Sequence, residues 1–171
     1  QVLADLMTIR EYKRSLAGLK LCFVGDGNNM ANSLIVGCIK MGMQVSIACP
    51  KAYRPDADIM AWAAPTGRFT CVESVEEAIA DADVVYTDVW ASMGMEAEVQ
   101  ARRAAFAGYQ VNDRVMALAK PDAIVQHCLP AHRGEEITDG IMESHVGEII
   151  EEAENRLHAQ KAVLVLLMEN R

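Results

Sequence analysis

Positive charge is scarce in this chain: 16 Lys and Arg against 24 Asp and Glu leave a formal net charge of -8 over 171 residues. Binding to nucleic acid or to an anionic membrane needs clustered Lys and Arg that release counterions, so the balance argues against both and favours a small-molecule ligand. Paired cysteine motifs are missing as well. The five cysteines, Cys22, Cys38, Cys49, Cys71 and Cys128, form no C-x-x-C pair and lie mostly within or beside apolar runs. That pattern speaks against a zinc site or a disulfide framework and for reduced thiols in the cytoplasm. Long apolar stretches are also lacking. The richest, residues 162–168, is far too short to span a bilayer, and no basic segment followed by a cleavable apolar run stands at the start. The first ten residues read as mid-helix with neither Met nor a capping residue before them, as if the chain were cut from something longer. With no internal repeat, low-complexity tract or linker, a single domain over residues 1–171 is expected.

What is present is a 51% hydrophobic content arranged in alternating runs. Residues 2–14 have helical spacing, with Leu3, Leu6, Met7 and Ile9 expected on the packed face and Asp5, Arg10, Glu11 and Lys13 mostly on the other. Strands are expected at 19–24, 44–48, 68–72, 83–87 and 123–126, with a weaker one at 146–150. Helices are expected at 30–42, 56–64, from Ser74, at 95–107 and 112–119, and in a last one opened by the acids at 151–154. Strands alternating with helices imply a Rossmann-like three-layer α/β sandwich, its mostly parallel central sheet covered by helices on both faces.

Four stretches fall where ligands bind in such a sheet, beyond the carboxyl ends of strands. Gly25, Asp26, Gly27, Asn28 and Asn29 start like the dinucleotide fingerprint, but Met30 stands at the third glycine position and Pro50 follows the second strand without an acid for a ribose. The turn reads equally as an anion site at a helix N-terminus or as a tight turn with an Asn cap. Asp88 follows a strand and precedes Trp90, Ser92, Met93 and Gly94. It is either a structural partner for a nearby Lys or a charge-assisted acceptor for a substrate amine, with Ser92 and Met93 on a loop able to close. His127 and Cys128 are adjacent on a strand and point to opposite faces, which disfavours a protease dyad. Backbone carbonyls at Cys128 and Leu129 could instead accept from an amide. Arg156 is either a surface charge on the last helix or a fork donor for a carbonyl or phosphate oxygen.

Taken together, Gly-Asp-Gly-Asn-Asn at 25–29, Asp-Val-Trp-Ala-Ser-Met-Gly at 88–94, His-Cys-Leu-Pro-Ala-His-Arg-Gly-Glu-Glu at 127–136 and Glu-Ala-Glu-Asn-Arg at 152–156 resemble the ornithine carbamoyltransferase family in order and spacing. The resemblance covers nearly the whole chain and is weakest near residues 141–150 and at the tail. It implies the C-terminal, ornithine-binding domain of a two-domain enzyme that moves a carbamoyl group from carbamoyl phosphate to the side-chain amine of ornithine. Citrulline and phosphate result, without metal or organic cofactor. By the resemblance Asn29 would hold the ornithine α-carboxylate and Asp88 its amino groups, while Ser92 and Met93 close over the substrate. Cys128 would orient the attacking amine, and Gln1, the Cys128 and Leu129 carbonyls and Arg156 would contact the carbamoyl group. The Leu129–Pro130 bond is a candidate for the cis form. The N-terminal carbamoyl-phosphate domain is absent from the chain, so the fragment alone is expected to be inactive, and the full enzyme to be a homotrimer or a multiple of trimers. Transferases for putrescine or N-acetylornithine, a nucleotide-binding Rossmann module and a non-catalytic relative that binds an amino acid are the alternatives.

Overall fold

The computed structural model describes residues 1–91 and 98–169. Five strands, β1 (Lys20–Val24), β2 (Gln44–Ala48), β3 (Phe69–Val72), β4 (Val84–Thr87) and β5 (Ile124–His127), form one parallel sheet in the order β3-β2-β1-β4-β5. The helices are α1 (Val2–Lys13), α2 (Asn29–Lys40), α3 (Ala57–Ala63), α4 (Val75–Ile79), α5 (Val99–Ala105), α6 (Asp113–Met116), α7 (Asp139–Ser144) and α8 (Val146–Glu169). The chain moves outward from β1 through β2 to β3, then returns to β1's other side for β4 and β5. That reversal opens a crevice at the carboxyl ends of β1 and β4.

Both faces of the sheet are buried, so its strands read as continuous apolar runs rather than alternating ones. Leu21, Phe23, Val45, Ile47, Val84, Tyr86 and Ile124 pack with Leu6, Ile9, Leu34 and Ile35 of α1 and α2. Cys22, Val24, Val85 and Val125 face the other way, onto Val75, Ile79, Val115 and Ile141. Burying each large side chain of this kind contributes about 1.5–3 kcal/mol. The Phe23 and Tyr86 rings, centroids 5.9 Å apart, tie β1 to β4 beneath the crevice.

Caps fix where the helices begin: Asn28, Asp56, Ser74, Asn112 and Thr138 each accept from backbone N–H groups in the first turn that follows. The strands fall within a residue of their expected positions, whereas two expectations fail. Residues 146–150 are not a strand but the opening of α8, so Glu151 is not in its first turn; the acid there is Glu148. As a helix, Ile149, Glu152 and Asn155 share one buried stripe against α1 and β5, and that packing outweighs the β propensity of Val146, Ile149 and Ile150. On α1, Leu6 and Ile9 are buried and Arg10 and Glu11 exposed as expected, but Leu3 is 54% exposed and Asp5 fully buried, the reverse of the expectation for those two. The face covering the sheet and α8 carries Ala4, Asp5, Thr8 and Ile9, and its polar groups find partners there. The expected helix at 95–107 is seen only over Val99–Ala105, residues 92–97 lying outside the described ones, and α6 is shorter than expected.

Candidate active site

Register assembles the site. Val24 pairs with Thr87 and Thr87 with His127, so the residues that follow, Gly25, Asp88 and Cys128, leave the sheet side by side. Gln1, Asn29, Asp88, Cys128, Leu129 and Arg156, all expected at the site, line one cleft of about 440 Å³ together with Met30, Pro130 and His132. Ser92 and Met93 lie outside the described residues.

Asp88 is 7% exposed. Its Oδ1 accepts from the Val89 N–H at 2.8 Å and its Oδ2 from the Asn28 side-chain amide at 2.9 Å. Among the described residues no Lys, Arg or His is ion-paired with it. A nearly buried carboxyl held by neutral donors leaves its oxygens without an ionic partner, the setting in which a ligand cation makes a strong charge-assisted contact.

Asn28, which the sequence did not single out as a binding residue, performs two tasks. Its Oδ1 caps α2 by accepting from Met30 and Ala31 N–H, and its Nδ2 turns back to Asp88. Of the two readings of this turn, the tight turn with an Asn cap is the one observed, and two of the amides at the helix start are already satisfied. Asn29 is exposed on the rim of the cleft. Gly27 has its own explanation: a Cβ there would overlap the backbone of residues 53–55, and its N–H donates to the Tyr53 carbonyl at 2.8 Å. The glycine serves a crossing of two chain segments.

The loop after β5 is braced from behind. Leu129 N–H donates to His127 Nδ1 at 2.9 Å, so the ring proton lies on Nε2, which faces the buried Glu136 Oε1 at 3.2 Å. Glu136 also accepts the His132 N–H. Leu129 has φ 53° and its bond to Pro130 is cis, as expected. Cys128 is half-buried and faces Asp88. Burial chiefly, and then the Asp88 charge and hydrogen bond, push its thiol well up, which keeps it neutral and unlike an activated nucleophile.

Arg156, on α8, is exposed at the cleft rim and, among the described residues, has neither hydrogen bond nor ion pair. Gln1 Nε2 instead donates to Asp5 Oδ1 at 2.7 Å and to Glu152 Oε1 at 3.1 Å. Across the crevice Arg102, also missed in the sequence, is 8% exposed. It bonds Asp26 at 2.6 Å and the Trp90 carbonyl at 3.0 Å, and stacks over Tyr53. It clamps α5 to the β1 turn. Burial raises the Asp26 carboxyl, and the guanidinium opposes that rise. For a metal, His132, Glu135 and Glu136 bring donor atoms within 4.8 Å of one another. Glu135 is ion-paired with Arg103, and Glu136 Oε1 already meets the His127 ring and the His132 backbone N–H, so both carboxyls are engaged in holding the loop.

This is an open, doubly wound α/β domain with a small-molecule cleft at its switch point, lined by a carboxyl and a guanidinium that have no ionic partner among the described residues. Residues 17–167 match the family model described as "Aspartate/ornithine carbamoyltransferase, Asp/Orn binding domain". The chain belongs to that family. It is 53% identical over 170 residues to the ornithine carbamoyltransferase of Pelobacter propionicus, covering 98% of this chain and 56% of that protein. Among solved structures it superposes on the ornithine carbamoyltransferase of Pyrococcus furiosus with a TM-score of 0.89 at 50% identity, covering 97% of this chain and 55% of that one. It superposes on the anabolic ornithine carbamoyltransferase of Campylobacter jejuni with a TM-score of 0.94 at 40% identity, covering 100% and 58%. The chain thus spans little more than half the length of the relatives it matches.

Proposed function

We propose that this chain supplies the ornithine half of a carbamoyltransferase site, where the carbamoyl group of carbamoyl phosphate passes to the side-chain amine of L-ornithine to give L-citrulline and phosphate. The observation that carries this reading is Asp88, nearly buried and, among the described residues, held by neutral donors alone, beside a neutral thiol and in one cleft with a guanidinium that has no described partner. Asp88 receives the amino groups of ornithine, and the Asn29 side chain on the rim holds its α-carboxylate. Ser92 and Met93 close over the alkyl chain.

The amine nitrogen attacks the carbamoyl carbon after losing a proton, the C–O bond to phosphate then breaks, and phosphate leaves. Arg156 polarises the carbamoyl oxygen as negative charge develops on it. The Cys128 and Leu129 carbonyls and the Gln1 side chain bind the carbamoyl group, and the Cys128 thiol orients the amine against Asp88. Nothing in this sequence of steps calls on a metal or organic cofactor.

Residues 1–171 act as one ornithine-binding domain and work with a carbamoyl-phosphate domain corresponding to the remainder of the relatives' length. The apolar groove between α1 and the last turns of α8, lined by Leu3, Ala4, Val163 and Leu164, suits that partner domain. The full protein is a cytoplasmic homotrimer or a multiple of trimers. None of the described helices is long and apolar enough to cross a membrane.

Ornithine fits better than the other acceptors. Putrescine has no carboxylate for Asn29, and N-acetylornithine lacks the free α-amine for Asp88. A nucleotide module is disfavoured because Gly27 approaches residues 53–55 and leaves no bare cradle for a pyrophosphate. The test is product formation by the full-length protein with carbamoyl phosphate and, in turn, ornithine, putrescine and N-acetylornithine. Citrulline formed well ahead of the other two ureido products supports the reading. A folded protein that carbamoylates none of the three overturns it.

A further inference from the structure

Behind the cleft lies a polar cluster that the transfer chemistry does not use. Asp5 of α1 and Glu152 of α8 are both fully buried. They share two donors: Gln1 Nε2 lies 2.7 Å from Asp5 Oδ1 and 3.1 Å from Glu152 Oε1, and the Tyr86 hydroxyl lies 3.4 and 3.0 Å from the same oxygens. Glu152 Oε2 accepts the His127 N–H at 2.9 Å, where β5 ends and the Cys128–Leu129 loop begins. Among the described residues neither carboxyl has an ion-pair partner, and Asp5 Oδ2 has no partner at all. Two carboxyls this close and this dry cannot both ionise without a cation, so one proton stays between them.

We propose that Asp5 and Glu152 are a one-proton carboxyl pair acting as positioning residues, which lock the Gln1 amide to the end of β5 and so set the edge of the cleft that holds the carbamoyl group. This rests on the functional reading above. The frame is anchored at three points, Gln1 before α1, Tyr86 on β4 and the His127 amide on β5, and the Glu152 side chain touches all three. Burial chiefly raises both members, Asp5 to about 6 and Glu152 to about 9, with the Asp5 charge adding to the rise of Glu152. The titratable groups facing the pair are the α-ammonium at Gln1, which favours the charged form of Asp5, Cys38 from α2, Tyr86 from β4 and Cys128 from the loop after β5, and the two thiols and the phenol are pushed up as well. Glu11, further along α1, is held by Asn155 and lies a turn and a half away from Asp5. Glu152 is therefore the group that loses its proton first as the solution turns alkaline, and the resulting dianion opens the frame. A carboxyl raised in the folded state holds its proton more tightly there than in the unfolded chain. Its stabilisation is complete below the unfolded value of 4.5 and is lost as pH climbs through about 9.

The experiment uses the full-length protein and its Glu152→Gln, Glu152→Ala and Asp5→Asn variants. It follows kcat and the KM for carbamoyl phosphate from pH 6 to 10, and the melting temperature over the same range. A glutamine accepts from the His127 N–H and donates to Asp5, as the protonated acid does. Glu152→Gln is expected to keep kcat within about threefold, while the alkaline rise in KM, about tenfold in the parent, disappears. Glu152→Ala raises KM at every pH. Asp5→Asn, by removing the neighbouring charge, moves the rise to lower pH as an ionised Glu152 becomes easier to form. If Glu152→Gln is as damaging as Glu152→Ala, or the parent's KM stays flat through pH 9, the proposal is overturned. Should the parent carbamoylate nothing, the functional reading fails separately, and the melting temperature decides. An alkaline fall present in the parent and absent in Glu152→Gln supports the pair, and an equal fall in both overturns it.

Discussion

Two aspartates flank β4, and they could hardly be treated more differently. Asp83, just before the strand, is 5% exposed, and Asp88, just after it, is 7% exposed. Asp83 accepts from the Lys20 N–H at 2.8 Å and from the Lys120 ammonium at 2.7 Å. Among the described residues Asp88 meets only neutral donors, a backbone N–H, a side-chain amide and the Cys128 thiol. The same contrast runs along the two edges of the sheet. At the amino edge Lys13 pairs with Asp122, Lys20 donates to the Ala80 carbonyl and Arg68 to the Gly42 carbonyl. At the carboxyl edge Asp88 and Arg156 face a common cleft with no ionic partner among the described residues. Burial alone does not mark a functional carboxylate. The charge of its partners does, because a buried group left unmatched carries a cost that a ligand can relieve.

Removing charges from the two edges should therefore have opposite signatures. The largest effect is expected for Arg156→Met, which takes a donor from the developing oxyanion: kcat falls about 10²–10³-fold in the full-length protein. The melting temperature stays put, since the exposed guanidinium has nothing to lose. Next comes Asp83→Ala at the other edge. It leaves the Lys20 N–H unsatisfied and is expected to cost about 1–3 kcal/mol in denaturant unfolding, with turnover by the remaining folded protein unaltered. The Lys120 share of that cost is small, because its ammonium is half in solvent. Asn28→Ala is the mildest and most informative, since it touches both roles. Loss of the α2 cap costs about 1 kcal/mol, seen in the melting temperature. Loss of the donor to Asp88 shows separately as a several-fold rise in KM for ornithine.

Much of this arrangement could be read from residues. The run from Gln44 to Ala48 is a strand from end to end, because β-branched and apolar residues buried on both faces stop at a proline. Asp88, Cys128 and Arg156 could be placed beside the cleft because strand ends and one helix fix their positions. The amide of Asn28 was legible only as a cap, since its second partner comes from a strand sixty residues on and depends on the β1–β4 register. Asp5 and Glu152 were hidden for a related reason. Each looks like a charge on a solvated helix face, and only the packing of α1 against α8 turns both inward. The same packing converts residues 146–150 from an apparent strand into a helix, a tertiary effect that local propensity does not carry.

The central claim is that Asp88 is a carboxylate kept open for the substrate amine, while its twin across β4 is a structural one. The most direct measurement compares Asp88→Asn with Asp83→Asn in the full-length protein, taking kcat/KM for ornithine and the melting temperature from the same preparations. The account predicts that Asp88→Asn loses at least about 100-fold in kcat/KM and melts no lower than the parent, since an uncompensated charge has been removed. Asp83→Asn should keep kcat/KM and melt lower. If both substitutions lower the melting temperature alike and leave kcat/KM within a few-fold of the parent, the distinction between the two edges does not hold and the site lies elsewhere.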